Sequence, residues 1–245
     1  MTMNQPTAAP KNSRSLVAWN EPTKGGLALV CVPWAGAGAA PFRPWGPVFG
    51  AVATVYGLRL AGRESRRAEP PAATIAEIVD AVVAELADLG VTRVALFGQC
   101  SGAVLAFELA RTLAGHDVEV THLVVASQLP PPDFATADAW AGENLTEYVP
   151  AEFREEPDFV QLLLPIIAAD IGLVSAYAYR PGAALEIPLT VVYGAHDDQI
   201  SRTAIDAWRL ETTGPTTFYE IAGGDHLIGG EAWLKLAETV RAALK

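Results

Sequence analysis

The stretch Val94-Ala95-Leu96-Phe97-Gly98-Gln99-Cys100-Ser101-Gly102-Ala103 decides the fold of this chain. An unbroken hydrophobic segment ends at Gly98, and a second hydrophobic segment begins at Gly102 and runs to Ala114. This pattern predicts a buried strand that turns sharply into a buried helix. The two glycines leave room on both sides of a central residue, so Cys100 is expected at the apex of the turn.

Cys100 has two interpretations. A buried cysteine is most often a small core hydrophobe. Glycines on both sides are also typical of the Gly-x-nucleophile-x-Gly turn of α/β-hydrolases, which usually carries serine at its centre. Ser101 is the rival nucleophile, but it lies one position past the apex, where its backbone N–H rather than its side chain is expected to face the site. The strand before and the helix after the turn favour Cys100 as the nucleophile.

The rest of the chain alternates between strands and helices. Thr74 and Glu77 form a predicted capping box at the start of one helix, and Ser201 is expected to cap another. This alternation predicts an α/β fold with a mostly parallel, doubly wound sheet and right-handed crossovers. Apolar runs predict the remaining strands at residues 27–32, 54–60, 123–126, 189–193 and 216–221.

Residues 129–180 interrupt this rhythm. The sequence Leu129-Pro130-Pro131-Pro132-Asp133 cannot continue a regular element, and an amphipathic helical run follows at 159–179. An insertion without strands suits a helical lid over an active site, although its apolar side chains would also suit packing on the core. We therefore expect one α/β-hydrolase domain over 14–245 with its lid at about 129–180, after a disordered segment at 1–13.

Composition restricts the classes of function. The net charge of −11 argues against nucleic acid or an anionic membrane as the main partner. No signal peptide is visible, and no apolar run reaches membrane-spanning length free of charges. Two cysteines do not make a disulfide framework, and Cys31 is expected to be a core residue. We predict a cytoplasmic monomer.

An acid and a histidine follow the nucleophile in the order found in α/β-hydrolases. Asp197 and Asp198 come after one late strand, and His226 comes after the next. His196 is interpreted as a solvated turn residue. No further histidine pair at ligand spacing accompanies these residues, which argues against a metal site.

Two loops near the expected site are ambiguous from the residues alone. Small residues at 33–40 allow a close approach of backbone to ligand, but on their own they are more typical of a flexible loop. Gly62-Arg63-Glu64-Ser65-Arg66-Arg67 is interpreted as a solvated turn.

The sequence as a whole resembles the type II thioesterases, stand-alone α/β-hydrolases that serve nonribosomal peptide and polyketide synthases. The similarity covers nearly the whole chain from about Val17. The matching blocks are Val32-Pro33-Trp34-Ala35-Gly36-Ala37-Gly38-Ala39, Phe42-Arg43-Pro44-Trp45, Gly62-Arg63-Glu64, Glu69-Pro70-Pro71, Leu96 to Arg111, Leu164-Pro165 with Ala169-Asp170, Tyr179-Arg180-Pro181-Gly182 and Gly223-Gly224-Asp225-His226.

The resemblance implies roles for individual residues. It places the nucleophile on Cys100, the acid on Asp197 rather than Asp198, the base on His226, and the oxyanion hole on the backbone N–H groups of Ala35 and Ser101. It further implies a thioesterase of antibiotic biosynthesis that needs no cofactor or metal. Its partners would be acyl or peptidyl carrier domains, which present the acyl group on a phosphopantetheine arm.

Three residues at the turn depart from the pattern of this family. The family usually has serine as nucleophile, with histidine before it and methionine after it, whereas this chain has Gln99, Cys100 and Ser101. The lid segment is also shorter than usual. Hydrolysis of the thioester is the first expectation. Transfer of the acyl group to an amine, or ring closure, is the alternative, and a non-catalytic carrier-binding protein would be expected to lack members of the triad.

Overall fold

A computed structural model describes residues 15–136, 145–149 and 153–245 of the chain. The segment at 1–13, which the sequence predicts to be disordered, lies outside the described residues. Parts of the predicted lid, at 137–144 and 150–152, also lie outside them.

A seven-stranded sheet forms the centre of the fold, in the order β1-β3-β2-β4-β5-β6-β7. All neighbouring strands are parallel except β1, which pairs antiparallel with β3. The mostly parallel sheet is therefore confirmed, whereas the short edge strand β1 was not predicted. The strands are β1 Leu16–Ala18, β2 Ala28–Val32, β3 Thr54–Leu58, β4 Arg93–Gln99, β5 Glu119–Ala126, β6 Leu189–Gly194 and β7 Thr216–Ile221.

Helices cover both faces of the sheet, as the predicted α/β-hydrolase fold requires. Buried side chains of α2 and α3 pack on one face, and those of α1 and α7 pack on the other. Thr74 caps α2 by accepting a hydrogen bond from the Glu77 N–H, as predicted. The helices are α1 Trp45–Phe49, α2 Ile75–Asp88, α3 Ser101–Leu113, α4 Pro131–Thr136, α5 Pro157–Ser175, α6 Arg202–Ile205 and α7 Ala232–Ala243.

Strand β4 and helix α3 lie at the centre of this arrangement. β4 pairs with β2 on one side and β5 on the other, and its residues from Val94 to Gln99 are buried. The sheet therefore fixes the C-terminal end of β4, where Cys100 lies, between the ends of two neighbouring strands.

The segment after β5 differs in detail from the sequence prediction. Pro131 and Pro132 begin the short helix α4, because proline is tolerated in the first turn of a helix, where its missing N–H has no acceptor. Helix α5 is apolar around most of its circumference rather than amphipathic. Ile171 and Val174 are buried, whereas Leu162 on the same helix is 64% exposed.

By length and composition, α5 is the one helix among the described residues that would be able to cross a membrane. Its packing indicates another role. Ile167 is buried against the domain, and Asp170 forms an ion pair with the buried Arg63. We therefore interpret α5 as a helix packed onto the sheet domain.

Candidate active site

Cys100 lies at the apex of a tight turn between β4 and α3. Its backbone has φ 53° and ψ −128°, a strained conformation for a residue with a side chain. A Cβ atom on Gly98 would overlap the backbone of Gly102, and one on Gly102 would overlap the carbonyl oxygens of Val32 and Pro33. Both glycines are therefore required by close backbone contacts, as the sequence predicts for this turn.

The loops after β6 and β7 are held against each other. The Ala195 N–H donates to the Ile221 carbonyl at 3.0 Å, and the His196 N–H donates to the Gly224 carbonyl at 2.9 Å. A Cβ on Gly194 would overlap the carbonyl of Gly224, so the two loops approach as closely as their backbones allow. These contacts bring the acid-bearing loop and the histidine-bearing loop together at the C-terminal edge of the sheet.

The structure brings Cys100, Asp197 and His226 into one chain of contacts. His226 Nδ1 lies 3.2 Å from each carboxylate oxygen of Asp197, and His226 Nε2 lies 3.4 Å from Cys100 Sγ. The Asp197 and His226 side chains are only 2% and 11% exposed. Asp198 is exposed, so of the two candidate acids Asp197 is the one in contact with the histidine.

The other two rivals do not join this group. Ser101 is the first residue of α3 and is 4% exposed, and its side chain makes no hydrogen bond with His226 in the described residues. His196 is exposed on the turn before Asp197, as predicted.

The charge on His226 is stabilised by its neighbours. Burial acts to lower the pKa of His226, but the Cys100 thiolate and the hydrogen bonds to Asp197 and Cys100 outweigh burial and raise it to about 10. By contrast, burial alone lowers the pKa of His122 to about 4. His226 is therefore held in its charged form 3.4 Å from the Cys100 sulfur, and a positive charge beside a cysteine is the arrangement that makes it nucleophilic.

Cys31 differs from Cys100 in its surroundings. It lies within β2, fully buried in the apolar core, and burial raises the pKa of its thiol. The prediction that Cys31 is a core residue is therefore confirmed.

Two backbone N–H groups beside Cys100 lack hydrogen-bond acceptors in the described part of the chain. Residues 34–37 form a turn closed by the Ala37 N–H and the Trp34 carbonyl at 3.0 Å, with Gly36 at φ 84°, and the Ala35 N–H is left over. The Ser101 N–H opens α3 and has no acceptor within the helix. Ala35 and Cys100 pack in the same buried cluster, so the geometry is compatible with an oxyanion hole.

The Cys100 side chain is fully covered in this conformation. It is 0% exposed and packs with Ile167 and Ile171 of α5 and with Tyr148 and Val149. The side chains of α5 that contribute to this cluster recur every three or four residues along the helix, namely Val160, Leu163, Ile167 and Ile171. The thiol is therefore closed to solvent in this conformation.

Gln99 links strand β4 to the loop that carries His226. Its side chain is 0% exposed, and Nε2 donates to the Ile228 carbonyl at 3.5 Å, the limit of a hydrogen bond. Oε1 has no hydrogen-bond partner among the described residues.

The solvated turn predicted at 62–67 is wrong for Arg63. This side chain is 5% exposed and forms a bidentate ion pair with Asp170 of α5. The segment by itself is a run of charges, because the burial of Arg63 depends on a partner 107 residues away; the available signal was that Arg63 and Asp170 both lie in blocks that carry the family resemblance. Arg63 and Asp170 are the residues near the site that sequence reasoning missed.

No group of three or more His, Cys, Asp or Glu side chains stands together as a metal site within residues 15–136, 145–149 and 153–245.

Comparison with known proteins places this geometry in context. The model of the thioesterase domain family matches residues 28–244. The chain is 31% identical over 199 residues to the gramicidin S biosynthesis protein GrsT of Aneurinibacillus migulanus, covering 76% of this chain and 77% of GrsT. The chain is also 31% identical over 256 residues to the AMB antimetabolite synthetase AmbE of Pseudomonas aeruginosa. This alignment covers 98% of this chain but only 12% of AmbE.

Solved structures show the same fold. The type II thioesterase BorB from the borrelidin biosynthetic cluster superposes with a TM-score of 0.82 and 28% identity, covering 94% of this chain and 97% of BorB.

Proposed function

We propose that this chain, which belongs to the thioesterase domain family, is a type II thioesterase with a cysteine nucleophile. Its substrates would be acyl or peptidyl thioesters on the phosphopantetheine arms of carrier domains in a nonribosomal peptide or polyketide synthase. The chain matches GrsT, a gramicidin S biosynthesis protein, and BorB, a type II thioesterase from the borrelidin biosynthetic cluster, over most of their length, which supports this proposal. The hydrolysis would serve editing or product release.

One observation carries the proposed mechanism. Cys100 Sγ stands 3.4 Å from His226 Nε2 at the apex of the turn, and His226 Nδ1 donates to Asp197. Nucleophile, base and orienting acid are thus in hydrogen-bond contact, in the order that covalent acyl transfer requires.

In the acylation step, the Cys100 thiolate attacks the thioester carbonyl carbon. Negative charge develops on the carbonyl oxygen, which the Ala35 and Ser101 N–H groups would stabilise, each donor being worth about 3 kcal/mol. When the intermediate collapses, the carbon–sulfur bond to pantetheine breaks, and His226 Nε2 returns a proton to the leaving thiolate. Asp197 stabilises the imidazolium before this transfer.

In the second step, the acyl-Cys100 thioester reacts with water. His226 takes a proton from the water molecule as it attacks, and the tetrahedral intermediate expels the Cys100 thiolate. The products are a free acid and the regenerated thiolate–imidazolium pair.

Cys100 itself favours a second candidate function, transfer of the acyl group. Exchange of one thioester for another is nearly isoenergetic, so the acyl group on Cys100 remains activated and reversible. Amines and thiols compete with water for such an intermediate. Transfer to an amine, or cyclisation, would therefore use the same acyl-Cys100 species.

The covered thiol implies a gated substrate entrance. Because Cys100 is fully buried in one cluster with Tyr148, Val149, Ile167 and Ile171, we propose that α5 and the segment at 145–149 act as the lid. A carrier domain would deliver the pantetheine arm once this lid opens. Cytoplasmic location and a monomeric state remain predictions from the sequence.

The test is a panel of acyl-carrier and acyl-N-acetylcysteamine thioesters, each incubated with and without an amine. Release of free acid from the carrier-bound thioesters is expected. Formation of an amide only when amine is present would favour the transferase, and no turnover of any thioester, with no acyl group on Cys100, would contradict both functions.

A further inference from the structure

The candidate is the buried ion pair between Arg63 and Asp170. Arg63 Nη2 lies 2.5 Å from Asp170 Oδ1, and Nη1 lies 2.6 Å from Oδ2. The two side chains are only 5% and 9% exposed. A buried ion pair contributes little net stability after desolvation, so a role in fixing local geometry is the better-founded reason to keep one.

This ion pair holds the turn at residues 34–37 from two sides. Asp170 Oδ2 accepts a hydrogen bond from the Gly36 N–H at 2.8 Å. Arg63 Nη1 donates to the Ala37 carbonyl at 2.8 Å. Glu64, the neighbour of Arg63, accepts from the Ala40 N–H at 3.0 Å and fastens the far end of the same loop.

These hydrogen bonds leave one backbone N–H of the turn, close to the Cys100 thiol, without an acceptor in the part of the chain that the structure describes. The N–H groups of Gly36 and Ala37 are occupied, whereas the Ala35 N–H finds no acceptor in the described residues. The direction of this N–H follows from the orientation of the turn. The ion pair is one residue away and fixes that orientation without touching the reacting atoms.

Asp170 also belongs to the helix that covers the thiol. Ile167 and Ile171, on either side of Asp170 in α5, pack with Cys100 in one buried cluster. A Cβ on Gly36 would overlap Ile167, so the turn and the helix are in direct contact. If α5 moved away, Asp170 would move with it, and the turn would lose the acceptor of its Gly36 N–H.

We propose that Arg63 and Asp170 are positioning residues that align the Ala35 N–H for the oxyanion only while α5 is closed over Cys100. This inference rests on the proposed thioesterase function and adds a coupling between lid closure and assembly of the oxyanion hole. With the lid open, a substrate would reach the thiolate, but attack on its carbonyl would be slow because the Ala35 N–H would not be aligned to stabilise the oxyanion.

Two reactions of the same thiol separate positioning from general damage. Acylation by an acyl-N-acetylcysteamine thioester develops an oxyanion, whereas alkylation by iodoacetamide does not. Asp170→Asn should slow the acylation of Cys100 by about 10- to 100-fold, since loss of one whole oxyanion donor costs about 10²- to 10³-fold. Alkylation of Cys100 should not be slowed.

Three further variants complete the experiment. Arg63→Lys keeps the charge but loses the bidentate fork, so an intermediate loss of acylation is expected. If Asp170→Asn fails to fold, Arg63→Lys still tests the role of the ion pair. Glu119→Gln breaks the exposed ion pair between Arg93 and Glu119, and both reactions should keep their rates. Asp170→Glu should recover part of the acylation rate that Asp170→Asn loses, because it restores the carboxylate.

The outcomes are distinguishable by quenched-flow mass spectrometry and thermal melting. Acylation of Asp170→Asn at the wild-type rate overturns this inference alone. Equal slowing of acylation and alkylation overturns it too, because the thiol–imidazole pair would then be the damaged part. A wild-type protein that forms no acyl adduct overturns the proposed function and this inference with it.

Discussion

Replacing Cys100 by serine should lower the pKa of His226. In the wild-type protein, the thiolate charge is the largest influence that raises this pKa, which reaches about 10 despite burial of the ring. A serine hydroxyl carries no charge at neutral pH. Burial would then be opposed mainly by Asp197, so the imidazole of the variant should lose its proton at a markedly lower pH.

The size of the effect follows from the site. The ordinary pKa of 6.5 is raised to about 10, which corresponds to a preference for the imidazolium on the order of 5 kcal/mol. The same preference fixes how stability depends on pH. Because the folded pKa is raised, the contribution of His226 to stability is complete below about pH 6.5 and is lost as the pH rises through about 10.

NMR titration of the histidine ring signals measures this directly. His226 is assigned by its loss in His226→Gln. His122, which hydrogen-bonds Thr190 and whose pKa burial lowers to about 4, serves as an internal control that Cys100→Ser should not move. The free energy of unfolding of the wild type should exceed that of His226→Gln, and this difference should become smaller between pH 6.5 and 10.

Two results would refute this reasoning. The first is a wild-type His226 that titrates near 6.5, because the thiolate would then not interact with the ring as its 3.4 Å distance indicates. The second is an unchanged, high pKa in Cys100→Ser, because another group would then be responsible for it.

Three other substitutions test the site and its surroundings. Asp197→Asn should reduce turnover by about 10²- to 10⁴-fold, while Asp198→Asn should leave it unchanged; the reverse result in steady-state assays would reassign the acid. Ile167→Ala should destabilise the protein by about 2–5 kcal/mol and expose the thiol to iodoacetamide, whereas the matched change in the exposed Leu162 should do neither. Gly102→Ala should lower the melting temperature sharply, because its Cβ would overlap the carbonyl oxygens of Val32 and Pro33, and a normal melting curve would contradict the close packing of the turn.

The central strand and the order of the site residues could be predicted because their signals are local. Strand β4 is an apolar run, and the glycines around Cys100 are separated from it by single residues. His226 and Asp197 each follow a strand, and parallel strands bring their C-terminal ends to one edge of the sheet. Local patterns and sheet topology were therefore sufficient for the central strand and for the order of the site residues, whereas the choice of Asp197 over Asp198 came from the family resemblance.

The parts that escaped prediction depend on distant partners. Arg63 lies in a charged run that suggests solvent, and it becomes buried only because α5 supplies Asp170. Strand β1 spans only Leu16–Ala18, an apolar run too short to predict a strand by itself, and it is held as one by its antiparallel pairing with β3. The exposed apolar surface of α5 likewise depends on which residues its neighbours cover.

The most direct test of the central claim is intact-protein and peptide-level mass spectrometry after rapid mixing with an acyl-N-acetylcysteamine thioester. The account predicts one acyl group, located on Cys100, that is removed by added free thiol, absent from Cys100→Ala and never found on the buried Cys31. Normal turnover by Cys100→Ala, or an acyl group on Ser101 of the wild type, would contradict it.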